Sequence, residues 1–137
     1  MNRVGFQKLA RLRVREAEAL FAARMYSGAY YLAGYAVECG LKACVAKLTR
    51  RHDFPKRDFV RGAYTHDYEQ LIKTAQLVVA LKTDKDHEPE LESNWDLVKN
   101  WKEDSRYIRW SRAQARTLID AITEVPHGVL PWIELYW

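Results

Sequence analysis

SGAYYLAGYAVECGLKACVAKL, Ser27 to Leu48, is the stretch on which the fold turns. It is apolar on nearly every side, holds no proline, and places Gly28, Gly34 and Gly40 at regular intervals. A helix that is hydrophobic all round belongs in the middle of a bundle, with neighbours on several faces. Its small residues (Ala29, Ala33, Gly34, Ala36, Gly40, Ala43) let those neighbours approach closely. Ser27 is the expected N-cap. Glu38 and Lys42 fall inside the run, and a bilayer span rarely carries two such charges centrally. The stretch therefore predicts the central helix of a small all-α domain.

Within it, Glu38 precedes Lys42 by one helical turn, acid first, the orientation that favours a pair on one face. One reading is an ion pair at the edge of the core. The other makes Glu38 the polar member of a site, held by the helix that touches all the others.

Before this run, Asn2 to Arg24 reads as an amphipathic helix. Phe6, Leu9, Ala10, Val14, Ala17, Leu20 and Phe21 recur at three- and four-residue steps, with a basic outer face. The short link Met25 to Ser27 implies an antiparallel hairpin. Thr49 to Thr65 reads as a long basic loop, ordered or broken by a short turn, and such loops are often functional. Thr65 is expected to cap a third helix, His66 to about Leu81, with Tyr68, Leu71, Ile72, Ala75, Val78 and Val79 inward. Lys82 to Ser93 reads as a charged loop. A short helix follows with Trp95, Val98 and Trp101, then a fifth, from Ser105 or Ser111 to about Thr123, with Ala115, Leu118, Ile119 and Ile122 inward. Arg106, Arg109, Arg112 and Arg116 give this last region a basic face free of acids. The tail from 125 to 137 is unusually apolar, which implies packing on the bundle or on a second copy of the chain.

The 137 residues suit a single domain spanning 1–137 with one core, and a hydrophobic content of 48% argues against disorder. A net charge of +4 is a mild bias toward anionic partners. Cys39 and Cys44 lack any zinc or C-x-x-C spacing and read as small core residues of a reducing compartment. The basic N-terminus has no apolar h-region, so the expected location is cytoplasmic, with no membrane association. No phosphate-loop, dinucleotide or nucleophile-elbow motif occurs.

The hairpin ending in YSGAYYLAGYAVECGLKACV, then THDYEQLIKTA, then a Trp-containing segment leading to SRY, resembles the HEPN-domain family of prokaryotic helical bundles. The resemblance runs from about Phe6 to Thr123. It rests on Glu38-x-x-x-Lys42-Ala43, on His66-Asp67 and on Arg106-Tyr107. It implies an all-α, four- to five-helix up-and-down bundle, commonly a homodimer. Many members work beside a minimal nucleotidyltransferase partner, or as metal-independent ribonucleases in toxin–antitoxin and defence systems. The catalytic branch carries an arginine four to six residues before a histidine, and Arg61-Gly-Ala-Tyr-Thr-His66 fits that spacing. A histidine can take the proton of an RNA 2′-hydroxyl, and an arginine fork can stabilise charge on the phosphoryl oxygens. Such chemistry uses no metal or other cofactor.

On this reading Arg61 and His66 are the catalytic pair, and Glu38, Asp67 and Tyr68 support them. Arg57, Arg106, Tyr107 and Arg109 are candidates for holding a nucleotide or RNA, with Tyr64, Tyr68, Tyr107 and Trp110 lying among cations where bases could stack. Three alternatives stay open. Asp67 and Thr65 simply cap a helix beside a solvated Arg61; the chain is a non-catalytic module for a nucleotide or a nucleotidyltransferase; or it is a structural dimer. His52-Asp53 and His66-Asp67 are too few ligands for a metal phosphohydrolase.

Overall fold

In the computed structural model of the chain, residues 1–49 and 54–137 are described. α1 (Arg3–Ala22) and α2 (Tyr26–Lys47) form the expected hairpin and the most extensive helix pair in the molecule. Asn2 caps α1 by accepting a hydrogen bond from the Gly5 amide at 2.8 Å. α1 ends where Met25 N–H donates back to the Leu20 carbonyl and Arg24 takes a left-handed conformation, φ 62°. Glycine is usual at such a helix end, since an ordinary side chain there costs about 1–2 kcal/mol.

α2 is the hub. Thirteen of its residues are buried, from Ala29 to Val45, and it touches α1 and most of the later elements. Ser27 does not cap it. The cap position falls on Met25, which makes no side-chain cap bond, and Ser27 Oγ accepts from the Trp110 amide at 2.9 Å instead. Cys39 and Cys44 are buried free thiols on this helix, each pushed up to about 12, chiefly by burial.

The second half is more finely divided than the sequence pattern implies. Inside the expected loop, Arg57–Ala63 forms α3, packed on α4 (Tyr68–Thr74), where Gly62 leaves room for Thr74. Residues 50–53, which include His52-Asp53, lie outside the described residues. The expected third helix is two helices, because Gln76 adopts φ 59° and Leu77 N–H closes back on the Ile72 carbonyl. α5 (Val78–His87) restarts in a new phase, so Leu77 and Leu81 are buried while Val78 and Val79 face solvent. The expected charged loop is also helical. α5 runs to His87, and Pro89 opens α6 (Pro89–Val98) from its first turn, with Glu90 and Glu92 beside the positive end of the helix dipole.

A 3₁₀ turn, Glu103–Tyr107, joins α6 to α7 (Arg112–Thr123). α7 starts at Ser111, not Ser105, through a reciprocal Ser111–Gln114 capping box, and Ala115, Leu118, Ile119 and Ile122 are buried as expected. The apolar tail folds back as α8 (Val129–Glu134), and its Ile133 and Leu130 pack against Gly40 of α2. Trp132 and Tyr136 donate to Asp84 at 2.8 and 2.5 Å and tie the tail to α5. The expected acid-free face does not exist, because Arg116 pairs with Glu18 and Asp120 while Arg106 pairs with Glu103. Among the described residues there are eight α-helices and no strand, and no helix is long and apolar enough to cross a membrane.

Candidate functional site

Glu38 is the one buried acid among the described residues, with 1% of its side chain exposed. A carboxylate withdrawn from water must be paired and hydrogen-bonded, or its burial costs several kcal/mol. Two cations-in-waiting meet that demand. Lys42 Nζ donates to Oε1 at 2.8 Å from one turn on, completing the pair that the helical spacing implies. His66 Nδ1 lies 2.9 Å from Oε1 and 3.0 Å from Oε2, reaching in from the segment before α4.

Because an ionised carboxylate only accepts, Nδ1 carries the proton in this pair. The imidazole is thereby held in one tautomer, and Nε2 is left on the other side of the ring. That side faces an open cleft of about 550 Å³ between the start of α4, the end of α6 and the segment leading into the 3₁₀ turn. The His66 side chain is 43% exposed, so its inner nitrogen is anchored while its outer one is reachable.

The floor beneath it is aromatic. Tyr68 stacks on Trp101 with ring centroids 5.4 Å apart, and its buried hydroxyl donates to the Gly34 carbonyl at 2.6 Å. Burial first, then the nearby Glu38 charge, raises the Tyr68 hydroxyl well above its ordinary value, so it stays a hydrogen-bond donor. Gly34 is required here by close approach: a Cβ would stand 2.2 Å from the Trp101 indole nitrogen.

At the outer edge, Glu103 Oε2 lies 3.6 Å from His66 Nε2, and its Oε1 accepts from Arg106 Nη1 at 2.6 Å. Contacts with Tyr107, Glu103 and Tyr31, in that order, hold the Arg106 guanidinium still more firmly in its charged form. The arginine sits 4.9 Å above the Tyr107 ring. Lys99 and Lys102 also line the cleft, against Asp67, Glu69, Glu103 and Asp104.

The expected residues are therefore distributed unevenly. Glu38 and His66, far apart in sequence, are in direct contact. Asp67 is spent on capping α4, accepting from the Gln70 amide at 2.9 Å, and Tyr68 is a buried structural donor. Arg61 lies in the last turn of α3, exposed and outside the cleft lining, and among the described residues it forms no hydrogen bond or ion pair with His66. Arg57 is exposed at the start of the same helix, and Arg109 is exposed beyond the 3₁₀ turn. Tyr107 is 76% exposed, whereas Trp110 is stacked on Tyr30 at 3.7 Å and is not free to take a base. Sequence reasoning missed Glu103 and Trp101 as members of the site. Glu103 stands one helical turn before Arg106, and that spacing was its only local signal. No group of three or more His, Cys, Asp or Glu side chains able to hold a metal ion occurs among the described residues.

Set against models of known protein families, curated proteins and solved structures, the chain matches none.

Proposed function

We propose that the chain is a HEPN-type helical module whose His66 transfers a proton in metal-independent cleavage of RNA, a role of the toxin or defence kind. The observation that carries this reading is the Glu38–His66 pair: a buried carboxylate holding Nδ1 of a half-exposed imidazole whose Nε2 faces a cleft. A carboxylate placed this way fixes the tautomer and orientation of a base and stabilises the imidazolium that forms when it accepts a proton. His66 Nε2 takes the proton of the 2′-hydroxyl, the 2′-oxygen attacks the adjacent phosphorus, and the 5′-oxygen leaves, protonated from solvent.

The cation for the phosphoryl oxygens is better supplied by Arg106, which shares Glu103 with His66, than by Arg61, which pairs with neither of them. Purified protein and its variants would be assayed on a mixed RNA substrate. Loss of cleavage in both His66→Ala and Arg106→Ala, with Arg61→Ala active, supports the assignment. Loss in Arg61→Ala with Arg106→Ala active restores the pair chosen from sequence spacing. Cleavage unchanged by His66→Ala retires the ribonuclease reading.

One observation favours a second reading. The cleft rim carries four carboxylates against two lysines, a poor match for an RNA backbone and a good one for a basic protein surface. On that reading the chain is a non-catalytic HEPN module that binds a minimal nucleotidyltransferase partner. Co-purification with such a partner, weakened by charge reversal at Glu69 and Asp104, would support it. The homodimer that the resemblance implies is tested by light scattering; the tail now packed on α2 is an unsuitable site for it, since Val129, Leu130, Trp132 and Ile133 are already buried.

A further inference from the structure

Glu103 occupies an unusual position. Its carboxylate reaches His66 Nε2 at 3.6 Å with one oxygen and Arg106 Nη1 at 2.6 Å with the other. An imidazolium, the form that results once Nε2 has taken a proton, and a guanidinium are two donors that would grip an oxyanion, and a carboxylate supplied by the chain itself already lies between them. The imidazole is anchored from behind by Glu38, and the guanidinium lies against the Tyr107 ring, so each has a second contact besides Glu103. Glu103, by contrast, is a third exposed and opens a 3₁₀ turn, whose i to i+3 hydrogen bonds hold a backbone less firmly than an α-helix does.

We infer that His66, in its imidazolium form, and Arg106 make an oxyanion-binding site for a phosphate group, and that Glu103 is its resident stand-in, displaced when a phosphate enters. A phosphate carries more charge and more acceptor oxygens than a carboxylate, so it satisfies both donors at once and leaves the displaced Glu103 to solvent. The site takes a phosphate on a nucleotide, an RNA backbone or an inorganic ion; the chemistry shared by all three is the tetrahedral oxyanion. The inference builds on the placement of the working edge at His66 and Arg106, yet it concerns binding and does not require cleavage. It also accounts for an acid in a cleft proposed to receive anions: at rest the acid fills the place the anion takes.

The test uses the full chain and inorganic pyrophosphate as probe, with affinity by calorimetry and His66 observed through its side-chain NMR signals. Glu103→Gln and Glu103→Ala are expected to tighten pyrophosphate binding about fivefold or more, the scale of a partly exposed ion pair removed from competition. The His66 ring signals should move on titration, and Arg106→Ala should abolish the effect. Asp104→Asn, which removes an equal charge from the same cleft without bridging the two donors, is the control. Equal tightening by Asp104→Asn and Glu103→Gln would overturn the proposal, because the gain would then be general electrostatics. So would pyrophosphate binding that leaves the His66 signals unmoved.

Two variants at 103 guard against a folding artefact, each checked by its thermal melt. Binding and cleavage are separable. RNA cleavage lost in His66→Ala, with pyrophosphate affinity indifferent to Glu103, sinks the stand-in alone. Tightening at Glu103 in a protein that cleaves no RNA sinks the ribonuclease reading alone and leaves an anion-binding module.

Discussion

Glu38 and Glu103 approach the same imidazole from opposite sides, the first from beneath the packed surface of α2 and the second from an exposed turn at the cleft rim. Their charges are alike and their surroundings are not. Glu38 has 1% of its side chain exposed and three hydrogen-bonding contacts with Lys42 and His66; Glu103 is 33% exposed and reaches His66 only at 3.6 Å. A buried charge depends on the partners that replace its lost water, whereas an exposed one is itself replaced by solvent or by a ligand. The inner acid is thus an anchor and the outer one an exchangeable contact.

The largest effect is expected at the inner acid. Glu38→Ala leaves a half-buried Lys42 and His66 without their acceptor and should cost about 3–5 kcal/mol, read from urea unfolding. A loss below about 1 kcal/mol would place Glu38 with the exposed pairs and erase the distinction. Gly34→Ala attacks the floor below the same ring. The added methyl meets the Trp101 indole at 2.2 Å, and overpacking of this kind should cost about 1–3 kcal/mol with a shift in the Trp101 indole NMR signal.

Tyr68→Phe removes a single buried donor from the Gly34 carbonyl and should cost about 1 kcal/mol by the same unfolding measurement. Asp84 is a third carboxylate, partly buried and hydrogen-bonded. Bonds from Tyr136 and then Trp132 lower its pKa, so its contribution is present above the ordinary unfolded carboxylate value and is lost as pH falls through the lower folded one. Asp84→Asn should therefore flatten the acid side of a profile of Tm against pH. The smallest effect is expected at Glu103→Ala, within about 1 kcal/mol, which keeps the protein folded for the binding experiment.

The hub was legible because its signal is local and redundant. A run apolar on every side can only be a central helix in a chain this size, and Tyr30 through Val45 are indeed at or near the core. The inward placement of Glu38 followed from the same run, and its pairing with Lys42 from helical spacing. Ser27 shows the limit of local signals. The residue type suits a cap, yet the helix starts one residue before it, and its hydroxyl serves the Trp110 amide from a distant part of the chain.

The break after Ala75 was hidden for a different reason. Helix ends in a left-handed residue are announced by glycine, and here Gln76 takes that conformation, as Arg24 does after α1. The strain is offset by tertiary packing of Leu77 and Leu81, which no window of sequence contains.

Residue pattern was enough to foresee an all-helical chain built around Ser27 to Leu48, a charged pair carried into its interior, and a histidine opening the segment that follows the basic stretch. That His66 meets Glu38 rather than Arg61, and that Glu103 stands between His66 and Arg106, came from how the helices dock. Periodicity reports which face of one helix is buried, because that depends on neighbours one turn away. Which side chains from different helices meet there depends on where each helix stops and how the pieces dock, and those are settled by packing across the whole core.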